Sequence, residues 1–241
     1  MSQQQQTPPY GVARVRPRPL GLAIVELPIL YIRALFSPVA RFFAAEGERA
    51  TWGIVWVQLL LLIIIPGVLG LVRGYSRSAQ IRAAHVGTDA QGIYNAFATL
   101  ALGSSVAVTF AEVLAIPILF FVGVTFQFLL AKAFRGLGGY LSQAYTTLLF
   151  AVPLVILSSL INTLLVFFHV TAREAIAPVV SLALLFYGIL LNIAMIVGVH
   201  RLTRGRATAV VVIPYIIGVL VAVGLLIYFA RLIINAIHDL H

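Results

Sequence analysis

The stretch WGIVWVQLLLLIIIPGVLGLV, Trp52 to Val72, decides the fold. It holds 21 residues without a charge. As a helix rising about 1.5 Å per residue it reaches about 31 Å, the thickness of a bilayer's hydrocarbon core. Trp52 and Trp56 stand at its start, where indole rings anchor a span among the headgroups. The composition agrees with this reading. Of 241 residues, 61% are hydrophobic and only 10% charged, against about a quarter charged in a soluble domain. The excess of 16 Lys and Arg over 7 Asp and Glu would point to nucleic acid on a soluble protein. Here the cations lie between apolar runs, so they are read as topology, and nucleic acid is not an expected partner.

Four further spans are expected downstream, at about 106–131, 143–168, 177–199 and 207–230. The second is the least regular, because the apolar run 96–131 is too long for one upright span and too short for two. We read an interfacial lead-in to Ser105 and then a span bent at Pro117. Between the first two spans, residues 73–91 read as a polar loop carrying Arg73, Arg77 and Arg82. The later connections are short, so consecutive spans should pack as antiparallel hairpins. Upstream, residues 1–23 form a Gln-, Pro- and Arg-rich tail that cannot bury a hydrophobic face. No cleavable signal peptide is expected in it, since it lacks an apolar core followed by small residues. Residues 24–50 read as an amphipathic helix in the interface, broken near Pro28 and Pro38. Its apolar face recurs at Ile24, Leu27, Tyr31, Leu35, Val39 and Phe42. The expected architecture is therefore all-α: a five-helix membrane domain over 51–236, with a short tail at 237–241.

Orientation follows from the cations. With the N-terminus in the cytosol, eleven Lys and Arg fall on the inner side, among them Lys132, Arg135, Arg201, Arg204 and Arg206. Five fall outside, namely Arg73, Arg77, Arg82, Arg173 and Arg231. The excess favours a cytosolic N-terminus and an outer C-terminus.

No catalytic constellation emerges. The chain has no cysteine, hence no thiol nucleophile, disulfide or Cys-ligated zinc. HExxH, GxSxG and paired intramembrane aspartates are missing. The histidines are His85, His169, His200, His238 and His241, and topology puts His169 and His200 a membrane thickness apart. Ser104 and Ser105 have no base at hand. The Gly136–Gly139 cluster lacks the GKS or GKT ending of a phosphate loop and reads as a tight turn. Neither enzyme activity, metal nor cofactor is expected.

Few polar residues lie within spans. Glu112 is the only acid, so it should be neutral, turned inward or bonded to a partner. By depth it pairs with Asn162, and Gln127 pairs with Asn192, each couple an interhelical hydrogen bond contributing about 1 kcal/mol. The alternative makes these four residues the polar path of a small transporter or channel. Gly70 and Gly74 have the GxxxG spacing of close helix contact.

AKAFRGLGGYLSQAYTTLLFAVP and VHRLTRGRATAVVVIP form a faint internal repeat, with Arg135-Gly136 and Arg204-Gly205 in matching turns. With SPVARFFAAEGERATWGIVWVQLL and YGILLNIAMIVGVHRLTRGRA, this plan resembles the Yip domain family of Ypt-interacting membrane proteins, in its prokaryotic branch, over about residues 36–230. The resemblance implies a five-helix membrane domain with a cytosolic N-terminus, in a prokaryotic cytoplasmic membrane. It also implies a part in membrane trafficking among the eukaryotic members, which bind prenylated small GTPases. Those members carry an Asp-Leu-x-Gly-Pro motif before the first span. Here that position reads AAEGERATWG, which leaves small-GTPase binding without its motif. The function expected is a membrane scaffold or adaptor. It would act through helix packing and through basic turns that contact anionic lipid, membrane-protein partners or further copies of the chain.

Overall fold

The computed structural model describes residues 19–37, 39–83, 87, 90–167 and 170–238, excepting the side chains of 167, 170–174 and 232–238. The expected tail thus lies largely outside the described residues, as do Pro38, His85, His169, the last residues 239–241 and the side chains of Arg173 and His238.

Seven α-helices account for the described chain: α1 Leu20–Phe36, α2 Ala40–Gly47, α3 Trp52–Ala83, α4 Gln91–Ala133, α5 Tyr140–Leu164, α6 Val170–His200 and α7 Arg204–His238. One turn of 3-10 helix, Leu165–Phe167, follows α5. Five helices, α3 to α7, are long and apolar enough to cross a membrane. The expected all-helical, five-span fold is the one observed.

Two boundaries differ from the sequence reading. Residues 73–83 are not loop, because α3 continues unbroken through Arg73, Arg77 and Arg82. Likewise the lead-in before Ser105 and the span after it are one helix of 43 residues, α4, which runs through Pro117. At 1.5 Å per residue α3 is about 48 Å long and α4 about 64 Å, so both outrun the hydrocarbon. What joins them is a stripe of small residues. A Cβ at Gly67 would stand 3.3 Å from Thr109 Cγ2, and one at Gly74 would stand 2.5 Å from Ser105 Cβ and Oγ. Ser78 and Ala98 continue the buried surface beyond them. Small side chains let two backbones approach closely, which is how helices associate where lipid offers no hydrophobic drive.

The core is formed by α5 with α3, α6 and the short N-terminal helices, around Leu59, Leu148, Leu149, Leu191, Met195 and Ile196. Helix α1 turns Leu27, Leu30 and Ala34 inward, while Ile24 is exposed. Pro28 does not break it. The loss of one intrahelical bond at Pro28 is outweighed by this packed face. Helix α2 buries Phe43, whose ring meets Phe150 edge-on at 6.2 Å. Trp52 sits 6.3 Å from the Tyr140 ring, marking one aromatic level at the starts of α3 and α5. We call the end of the bundle below this level the basic end and the opposite end distal.

Candidate functional site

At the basic end, α4 stops in a Schellman turn. Gly136 N donates to Ala131 O at 2.8 Å and Arg135 N to Lys132 O at 2.9 Å. The left-handed position of such a turn usually holds glycine, but here it is Arg135, with φ 67°. Helix α6 is likewise followed by a left-handed arginine, Arg201 at φ 53°. The glycines of the first turn serve a different need. A Cβ at Gly136 would stand 2.8 Å from both Ala131 O and His200 Nδ1, and one at Gly138 only 2.6 Å from Val199 O. They let the α4–α5 turn lie directly on the end of α6, where Leu137 N donates to His200 O at 3.0 Å. The geometric counterpart of Arg135 is therefore Arg201. Arg204-Gly205, which the sequence repeat aligned with Arg135-Gly136, lies in the first turn of α7.

His200 is fully buried beneath these turns. Gln143 Nε2 donates to Val124 O at 3.3 Å, which leaves Gln143 Oε1 to accept from His200 Nε2 at 2.8 Å. The imidazole thereby closes the seam between α4, α5 and α6 instead of standing free as a base.

The N-terminal helices are built onto the same end. Ser142 Oγ donates to Gly47 O at 2.8 Å, Tyr187 donates to Leu35 O, and Gly198 lies directly under Ala40 O. Glu46 is ion-paired with Arg49 at 3.0 Å and accepts from Tyr145 at 3.5 Å. Burial pushes the Tyr31 hydroxyl well above its ordinary pKa, with Tyr145 adding to the effect.

Around this platform Lys132, Arg135, Arg201, Arg204 and Arg206 are all exposed. Lys132 Nζ donates to Gly136 O at 3.2 Å and lies 5.3 Å from the Phe128 ring centroid. Arg204 and Arg206 occupy the first turn of α7, where the helix dipole disfavours cations by about 0.3–1 kcal/mol each. Such a placement is relieved by a nearby anion.

The distal half holds a cavity of about 460 Å³ between α3, α4 and α5. Glu112 and Asn162 both line it, but no hydrogen bond joins them, because the Asn162 amide donates to Ser158 O at 2.9 Å. Arg73 and Arg77, read from the sequence as loop residues, line it too. Arg73 Nη1 donates to Ser159 O at 3.0 Å and to Thr163 Oγ1 at 3.3 Å, fastening α3 to α5. The missed signal was spacing: Gly70, Arg73, Gly74 and Arg77 fall at i, i+3, i+4 and i+7, one face of a helix. Gln127 and Asn192 line a separate cavity of about 390 Å³ with Thr147 and Tyr215. Asn192 Oδ1 has no hydrogen-bond partner there. Among the described residues no three His, Asp or Glu side chains gather as metal ligands would.

Five helices long and apolar enough to cross a membrane define a polytopic integral membrane protein. The Yip1 domain family matches residues 32–226, most of the chain, and the chain belongs to that family. No curated protein and no solved structure matches it.

Proposed function

We propose that this chain is a membrane scaffold or adaptor whose basic end faces the cytosol and contacts anionic lipid or a membrane-protein partner. The observation that carries this reading is the seam from Leu137 N to His200 O, which holds two basic turns side by side and leaves their cations exposed. Each Lys or Arg near an anionic leaflet gains about 1 kcal/mol, so five in one rigid array act together. The cation excess at this end supports the cytosolic placement. The prokaryotic cytoplasmic membrane is the setting that the family resemblance favours. The chain lacks the motif on which GTPase binding rests, so the partners proposed are lipid, other membrane proteins or further copies of the chain.

A transporter built on Glu112, Asn162, Gln127 and Asn192 is less well supported. These residues fall in two cavities, and α4 carries Ala115, Ile116, Pro117, Ile118 and Leu119 between Glu112 and Gln127. An ion path would need polar groups along that stretch.

The test is retention of phosphatidylglycerol by the purified protein. Replacing Lys132, Arg135, Arg201, Arg204 and Arg206 with Gln should lower it severalfold without loss of helix content. Unchanged retention in a folded variant would defeat the lipid-contact reading.

A further inference from the structure

The distal cavity separates charges of opposite sign without joining them. Arg77 and Glu112 have no hydrogen-bond or ion-pair partner among the described residues, and Arg73 commits only one guanidinium nitrogen, Nη1. A guanidinium carries five N–H donors, so Arg73 keeps most of them free for a ligand.

The depth of the cavity says what can reach it. Arg73 stands 21 residues beyond Trp52 on α3, about 32 Å along the helix, at the distal edge of the hydrocarbon. Glu112 begins deeper, because Thr109 beside it packs on Gly67 and Gly70. Side chains lean toward the N-terminus of their helix. In this antiparallel pair that tilt carries the arginines inward and Glu112 outward, toward a common level. Arg73 Nη2 accordingly lies back over Gly70, 3.6 Å from where a Cβ would be. Val108 lines the cavity on α4, and outside it α4 presents Phe110 and Leu114, each more than half exposed, which continue that apolar wall into the lipid.

A simple anion would be repelled by Glu112, and a simple cation by the two arginines. A ligand that bears both charges, and an apolar tail to lie along α4, satisfies all three groups. We propose that this cavity binds the headgroup of an amine-bearing zwitterionic phospholipid of the distal leaflet, with Arg73 and Arg77 on the phosphodiester and Glu112 on the ammonium. The volume of about 460 Å³ is within the range of ligand sites. This site is distinct from the basic end and does not depend on it.

The experiment is native mass spectrometry of the full-length protein given equal amounts of phosphatidylethanolamine, phosphatidylcholine and phosphatidylglycerol. The wild type should retain phosphatidylethanolamine severalfold over the other two, since phosphatidylcholine has no N–H to donate to Glu112 and phosphatidylglycerol offers it hydroxyl donors but no positive charge. Arg77→Gln should cut that retention by about tenfold, the worth of one charge-assisted hydrogen bond, and Arg77→Lys should restore part of it. Glu112→Gln should leave lipid bound but erase the preference over phosphatidylglycerol, an outcome that general misfolding would not produce. Neither side chain has a hydrogen-bond or ion-pair partner among the described residues, so the variants should keep wild-type helix content. The five-Gln variant at the basic end should retain phosphatidylethanolamine as the wild type does. Equal retention of the three lipids, or a preference indifferent to both Arg77→Gln and Glu112→Gln, would overturn the proposal. So would displacement of the bound lipid by millimolar inorganic phosphate, which would show a site for the free anion.

Discussion

Leu137 donates its backbone N–H to the carbonyl of His200 across 63 positions of sequence, and the 3.0 Å bond binds the two turns of the basic end into one surface. The helix ends beneath it terminate on Arg135 and Arg201 in the left-handed conformation, while the nearby glycines are spent on close approach.

Gly136→Ala should destabilise the protein by about 1–3 kcal/mol, as overpacking does, because its Cβ would stand 2.8 Å from Ala131 O and His200 Nδ1. Gly205→Ala faces open space in the first turn of α7 and should be neutral or stabilising by up to about 1 kcal/mol. Thermal unfolding in one detergent compares them. Equal effects would mean that the turn does not press on α6.

Arg201→Gly should raise stability and lower lipid retention together. Relieving a left-handed arginine is worth about 1 kcal/mol, while one cation of the array is lost. A variant that loses stability would show that the Arg201 side chain holds the turn.

Arg73→Ala should cost more than Arg77→Ala. The first removes bonds to Ser159 O and Thr163 Oγ1, worth about 1.5–3 kcal/mol for a charged donor, while the second removes none between described residues. Chemical unfolding of the two single variants gives the comparison, and the reverse order would refute the α3–α5 fastening.

Gly74→Ala should separate α3 from α4 and lower the melting temperature. Pairing it with Ser105→Gly should recover most of the loss, since the obstruction is the Ser105 side chain 2.5 Å away. The double-mutant cycle isolates that coupling from the propensity cost of each change. Strict additivity would place the two helices farther apart.

The membrane class was legible because a run such as Trp52–Val72 admits one physical use. Where α3 ends was not. Hydropathy falls at Arg73, but the helix continues because small residues on α4 and the carbonyl of Ser159 receive the polar face. The amphipathic pattern of α1 was read as a lipid-facing helix. The same pattern serves a helix docked on protein, and burial of Leu27, Leu30 and Ala34 shows that α1 packs on the bundle. The repeat of Arg-Gly pairs misled for a related reason: left-handed geometry falls on whichever residue follows the helix, and here that residue is arginine twice. Depth matching expects a hydrogen bond within each polar couple; Glu112 and Asn162 line one cavity and Gln127 and Asn192 another, with neither bond formed. It could not show the arginines joining the first pair, because their residues had been assigned to a loop.

The small-residue seam makes the outer ends of α3 and α4 a single stiff arm. From Gly74 to Ala83 that arm rises about 15 Å past the hydrocarbon. A rigid arm converts orientation into displacement: a tilt of about 10°, well within what spans adopt, pivots a tip about 30 Å from the bilayer midplane and swings it by about 5 Å. Changes in membrane thickness, which spans accommodate by tilting, would thus be felt on the far side as a lateral movement large enough to make or break a protein contact.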